Sequence, residues 1–159
     1  MVHSGNIGVF ILLLVVFTAA FNSCGKEPKE DEVLTEAINA QRTDRYDDAI
    51  ESFQLFIKTF PKSPKVAEAL YALGIVYQKK KDYKNAVKTL KRVVDEYPQD
   101  PTASGAAYLR AVLLNTELKD TTAAREAYED FLKRYPDAPM AGSARIELAN
   151  LLKAVKNKK

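Results

Sequence analysis

Seven positions, Tyr46, Ala49, Ile50, Phe53, Phe56, Ile57 and Phe60, carry apolar or aromatic side chains, with mainly polar and charged residues between them. The i, i+3, i+4, i+7 spacing gathers them on one stripe and predicts a helix that buries that face. Moved on by 37 residues, the stripe reads Tyr83, Ala86, Val87, Leu90, Val93, Val94 and Tyr97. Another 38 residues on it reads Thr121, Ala124, Arg125, Tyr128, Phe131, Leu132 and Tyr135, with Thr121 and Arg125 the two departures. A pattern kept at a period of this size predicts a repeated supersecondary unit.

Each stripe ends in the same punctuation: Phe60-Pro61-Lys62-Ser63-Pro64, Tyr97-Pro98-Gln99-Asp100-Pro101 and Tyr135-Pro136-Asp137-Ala138-Pro139. The first proline stops one helix, while Ser63 or Asp100 can cap the next and the second proline suits its first turn. Ala138 has no capping oxygen, so the third junction is expected to be the loosest. Between the stripes, 66–80, 102–118 and 140–156 are Ala-rich with a second apolar pattern. The unit is therefore a helical hairpin. The expected fold is an all-α solenoid over residues 32–156, with about three hairpins and a C-terminal capping helix, seven helices in all.

Leu70, Leu73, Gly74, Tyr77, Ala86, Leu90, Val93 and Pro98 fall at the spacings of the tetratricopeptide repeat, which this central unit resembles. Gly74 and Ala86 are small, so two helices can approach closely, and Tyr77, Leu90 and Val93 fill the space around them. The first unit keeps Ala37 and Ala49 but has Glu36 and Ala40 for Leu and Tyr; the third keeps Ala111 and Ala124 but has Arg110 and Leu114 there. Leu148, Ala149 and Leu152 hold the register in the closing segment.

The resemblance implies a concave groove lined by the first helix of each hairpin. Its face maps onto Leu34 and Ile38; Tyr71, Ile75 and Gln78; Tyr108, Val112 and Asn115; Ile146 and Asn150. Repeats that grip C-terminal carboxylates use Lys and Asn on this face, where this chain has Tyr71, Ile75, Tyr108 and Val112, so a carboxylate clamp is not expected. The stripe fits an extended or helical apolar segment of another protein, with Tyr71 and Tyr108 as the best anchors. The alternative is that several of these side chains only pack between neighbouring helices.

Residues 7–21, IGVFILLLVVFTAAF, are too short a run to span a bilayer readily and match the apolar core of a secretory signal. Phe21-Asn22-Ser23-Cys24 resembles a loose lipobox, although Phe21 and Asn22 depart from the usual residues and no Lys or Arg precedes the run. That resemblance implies a signal peptide over 1–23, cleavage before Cys24, and acylation (including palmitate) of Cys24 as a membrane anchor. A polar tether would span 24–31 and a basic tail 157–159. An uncleaved anchor and an ordinary signal leaving a free thiol are the alternatives. Gly25 lacks the Asp that marks inner-membrane retention in some bacteria, favouring the outer membrane, facing the periplasm, over the inner membrane or the cell surface.

The chain has 159 residues, 47% of them apolar, and a net charge of +3, which fits one globular unit and leaves no nucleic-acid footprint. Its one histidine, His3, lies in the expected signal, so Ser-His-Asp arrangements and imidazole metal sites have no donor. Gly25, Gly74, Gly105 and Gly142 form no phosphate loop. Asp47-Asp48 and Asp95-Glu96 read as solvated helix faces, and so does Lys79-Lys80-Lys81. No enzyme activity, cofactor or metal is expected.

The long period, the aromatic-Pro linker and Asp82-Tyr83-Lys84-Asn85-Ala86 resemble tetratricopeptide modules of the bacterial envelope. Two families come closest: the C-terminal domain of the YbgF/CpoB cell-division coordinators of the Tol-Pal system, and the BamD lipoproteins of outer-membrane β-barrel assembly. BamD-type proteins carry more repeats than fit here, and YbgF-type proteins carry a coiled coil not seen in this sequence. The resemblance implies a lipid-anchored scaffold for protein–protein interaction in envelope assembly, cell division or envelope integrity, with other envelope proteins as partners. A self-associating structural lipoprotein, a homo-oligomer, is the alternative, as is a β-barrel or pilus assembly factor.

Overall fold

The computed structural model describes residues 29–156, in which lie α1 (Glu30–Arg42), α2 (Tyr46–Thr59), α3 (Val66–Lys79), α4 (Tyr83–Glu96), α5 (Ala103–Thr116), α6 (Thr121–Arg134) and α7 (Ala141–Lys156). Each packs most extensively on its neighbours in the chain. The helices pair as hairpins α1–α2, α3–α4 and α5–α6, and α7 closes the stack. This is the expected all-α tetratricopeptide solenoid, with seven helices and no strand among the described residues. α1 begins at Glu30, inside the expected tether; the expected signal peptide, Cys24 and tail lie outside the described residues.

The predicted stripes form the core. Phe53, Phe56, Leu70, Leu90, Val93, Val94, Tyr128 and Phe131 are fully buried, and Ala86 and Leu73 are buried beside them. Gly74 is required by close approach: a Cβ there would stand 2.7 Å from Leu90 Cδ2 and 2.8 Å from Leu90 Cγ. Tyr77 is half-buried and its hydroxyl accepts from Gln54 Nε2 at 2.9 Å, tying α3 to the preceding hairpin. Pro98 is exposed, and its carbonyl accepts from the Tyr135 hydroxyl at 3.1 Å, so one linker is tied to the next.

The hairpin turns explain the change of period. Asp44, Lys81 and Lys119 occupy the left-handed region, with φ of 55°, 63° and 55°. In the first two turns the following N–H reaches five residues back, Arg45 to Ala40 O at 2.9 Å and Asp82 to Tyr77 O at 2.8 Å. These six-to-one bonds satisfy a terminal helix carbonyl. In the third, Asp120 N–H reaches six residues back, to Leu114 O at 2.9 Å. One extra residue in the α5–α6 turn turns a spacing of 37 into 38. Asp82 and Asp120 then cap α4 and α6, accepting from the N–H groups of Asn85 at 3.2 Å and Ala123 at 3.0 Å.

At the linkers the caps act on a tight turn just before the assigned helix. Asp100 Oδ1 accepts from Thr102 N–H at 2.8 Å and from its hydroxyl at 2.6 Å, and Ser63 Oγ accepts from Lys65 N–H at 3.1 Å. The backbone bonds Ala103 N–H to Asp100 O at 2.9 Å and Val66 N–H to Ser63 O at 3.2 Å continue this turn into the helix. The helices therefore start two residues beyond Pro64 and Pro101. Ser63 Oγ also donates to Glu30 Oε1 at 2.7 Å, joining the first linker to α1.

Candidate binding groove

The first helices α1, α3, α5 and α7 carry every predicted groove residue, but these differ widely in what they offer. Leu34 is only 8% exposed and belongs to the core, so its place in the groove stripe is corrected: it supports the wall rather than facing a ligand. Ile38 and Ile146 are exposed, the latter 63%, and Asn150 is exposed as well. Tyr71, Ile75, Gln78, Tyr108, Val112 and Asn115 are half-buried.

The two tyrosines are held differently. Tyr71 leans toward the next hairpin, where Gly105 makes room for it: a Cβ on Gly105 would lie 3.2 Å from the Tyr71 hydroxyl oxygen. Tyr108 leans on its own hairpin, with its ring centroid 6.3 Å from that of Tyr128 and 5.7 Å from that of Phe131. Each ring is therefore fixed by protein on one side and half open on the other. Such rings lose little rotamer freedom when a ligand covers them.

Tyr128, on α6, was not among the predicted groove residues. Burial, with a further contribution from Glu147, pushes the pKa of its hydroxyl up to about 12, against a smaller opposing effect of Asn115. The phenol stays neutral across the physiological range, giving the floor beneath Tyr108 and Asn115 a polar point without charge. The only signal in the sequence was an aromatic where the preceding hairpin has Leu90; the burial of its ring against Tyr108 is a tertiary fact.

The carboxylate pairs are matched by cations. Asp47 pairs with Lys80, Asp48 with Arg45 at 2.8 Å, Asp95 with Lys91, and Glu96 with Arg92 at 2.7 Å. Lys65 and Asp31 lie 2.8 Å apart, and chiefly through their hydrogen bond the pKa of Lys65 is raised and that of Asp31 lowered. Among the described residues no group of His, Cys, Asp and Glu is arranged to hold a metal ion, and no helix is long and apolar enough to cross a membrane.

Hairpins of this register, with small residues at the helix contact and an apolar stripe along the first helices, define a tetratricopeptide protein. The family model for the YfiO outer membrane lipoproteins matches residues 26–157, which include every described residue. The chain belongs to that family. The resemblance to BamD-type lipoproteins is thereby borne out, whereas nothing supports the YbgF/CpoB resemblance in particular. No curated protein matches the chain.

Among solved structures the chain is similar to a tetratricopeptide repeat protein from Parabacteroides merdae, at 19% identity and a TM-score of 0.67, over 80% of this chain and 47% of that one. It thus spans about half the length of that protein. PcrH from Pseudomonas aeruginosa matches at 16% identity and a TM-score of 0.59, covering 86% of this chain and 98% of its own. The TPR2B domain of yeast Sti1, solved in complex with pHsp70, matches at 16% identity and 0.57, covering 82% and 98%. At these identities the likeness concerns the fold.

Proposed function

We propose that this chain is a non-catalytic, lipid-anchored adaptor of the outer membrane, facing the periplasm, whose groove captures apolar segments of other envelope proteins during envelope assembly. One observation carries this reading: Ile38, Tyr71, Ile75, Tyr108, Val112 and Ile146, half-buried or exposed, form an apolar stripe along α1, α3, α5 and α7. Aromatics held on one side and open on the other are favoured anchors at protein interfaces. Membership of an outer membrane lipoprotein family supports the place in the envelope, and Cys24 is the residue that would carry the acyl chains. The histidine-free sequence after His3 and the cation-matched carboxylates support a role without catalysis.

The test replaces Tyr71 and Tyr108 together by Ala and measures partner capture in a crosslinked pull-down from membranes, alongside helical circular dichroism and thermal melting. Capture is expected to fall at least about tenfold, the scale of a hot-spot residue. Unchanged capture by a folded double variant removes the groove from the mechanism. Self-association is the second reading, favoured by exposed Ile146 and Leu152 on the closing helix. A monomer at every concentration in light scattering eliminates it.

A further inference from the structure

A second candidate surface lies away from the groove. Successive helix positions turn by about 100°, so Leu73 and Tyr77, each two places beyond Tyr71 and Ile75, leave α3 on nearly the opposite side. There, between α2 and α4, is a cleft of about 360 Å³ with Ile57, Leu73 and Tyr77 in its lining. Its remaining lining includes Lys58, Lys88 and Arg92 and no carboxylate. Arg92 is matched by Glu96, which accepts from it at 2.7 and 3.1 Å. Lys58 and Lys88 form no ion pair among the described residues, so the cleft carries uncompensated positive charge.

Thr89 adds a neutral hydrogen-bonding group to the cleft. It lines the same cleft, is 8% exposed as a residue, and its hydroxyl makes no hydrogen bond among the described residues. Thr116, by contrast, returns its hydroxyl to Val112 O at 3.0 Å, the usual resort of a helical threonine. Among the described residues it is Arg110 Nε, not this hydroxyl, that is buried without a partner, so the Thr89 hydroxyl reaches the open cleft and is available to a ligand.

The next hairpin shows that this chemistry is local. At the register positions of Lys58, Lys88, Thr89 and Arg92 it has Asp95, Glu126, Ala127 and Asp130, and Arg110 replaces the apolar Leu73. The sign of charge is reversed. The helix packing of the repeat does not require cations here, because the same packing is built with anions one hairpin on.

We infer that the α2–α4 cleft binds an acidic side chain of a protein segment, its carboxylate placed among Lys58, Lys88 and the Thr89 hydroxyl and an adjoining apolar residue set on Ile57, Leu73 and Tyr77. A free inorganic anion would leave the apolar lining unused. Charge complementarity of this kind speeds encounter and selects the partner.

The full chain in detergent, labelled with ¹⁵N, tests this by titration with N-acetyl-Glu-Leu-amide, its Gln isostere and inorganic phosphate. The Glu peptide is expected to shift the Lys58, Lys88 and Thr89 amides saturably, about tenfold more tightly than the Gln peptide, and to weaken with salt. Lys58→Glu with Lys88→Glu, both exposed positions, should abolish binding while the helical signal persists; Thr89→Val should weaken it severalfold. Equal binding of the Gln peptide, equal shifts with phosphate alone, or shifts confined to the Tyr71 and Tyr108 region each overturn the inference, as does unchanged binding by the folded double charge reversal.

Discussion

The second hairpin and its two neighbours solve the same packing problem with different side chains. In α3–α4 the contact position is Gly74, with Tyr77 one turn on and Leu90 on the partner helix. The first hairpin has Ala37, Ala40 and Phe53 at these places, and the third has Ala111, Leu114 and Tyr128. Ala37, Ala111, Phe53 and Tyr128 are all essentially buried. Where the partner helix supplies a flat ring, the contact residue keeps its methyl. Where it supplies a γ-branched leucine, whose Cδ2 and Cγ already fill the place of a Cβ, glycine is required. A close-packed interior holds total volume nearly fixed. The aromatic therefore sits on the first helix or on the second, while the register is unchanged.

Gly74→Ala breaks this balance most directly. Overpacking costs about 1–3 kcal/mol, and the better helix propensity of Ala returns up to about 1 kcal/mol. A net loss of up to about 2 kcal/mol in chemical denaturation is expected. Gly74→Ala combined with Tyr77→Leu and Leu90→Phe imitates the third hairpin and should recover most of the loss. A triple variant no more stable than the single one would mean that volume exchange between helices does not explain the three hairpins.

A second contrast is chemical. Of the residues at this partner position, Phe53, Leu90 and Tyr128, only Tyr128 titrates. Its folded pKa is raised, chiefly by burial, from an ordinary 10.0 to about 12. The folded state thus holds the proton more tightly than the unfolded state, and the associated stability is present below pH 10 and lost as pH rises from 10 to 12. Tyr46 and Tyr135 are also raised, through the hydrogen bond to Asp44 and through burial, so the wild-type curve alone mixes several groups. The stability difference between the wild type and Tyr128→Phe isolates one. It should narrow over that window; a constant difference would show that burial does not hold the Tyr128 proton.

The repeat, the helix order and most of the core were legible because they rest on spacing: apolar positions at helical intervals leave no other way to bury their faces. Leu34 was misplaced for the same reason. Register marks it as a groove position, but at the start of the stack its side chain packs into the core. Tyr128 escaped because its ring meets Tyr108 across two helices, a contact that no periodicity encodes. The third turn was visible only as a period of 38, and its cause lies in how Lys119 and Asp120 close the chain. The α2–α4 cleft was hidden because Lys58 and Lys88 lie on different helices, 30 residues apart in sequence, and each alone reads as a solvated lysine.

The smallest effect separates the three linkers. Asp100 and Ser63 each accept from the N–H two residues on, a donor that the first turn of a helix cannot satisfy within itself. Ala138 keeps the backbone part of the turn, Ala141 N–H to Ala138 O at 2.9 Å, but has no side-chain oxygen for Met140 N–H. Ala138→Asp should stabilise the start of α7 by about 1 kcal/mol through the new cap, with a further gain from an anion at the helix N-terminus that salt reduces. Ala138→Ser should give the cap without the salt dependence. The gain belongs to one terminal helix, so hydrogen exchange at the first α7 amides reads it more directly than a global melt. Slower exchange in both variants, with salt sensitivity only in Asp, identifies the missing cap as what sets the third linker apart. Unchanged exchange assigns the difference to α7 packing on one side only.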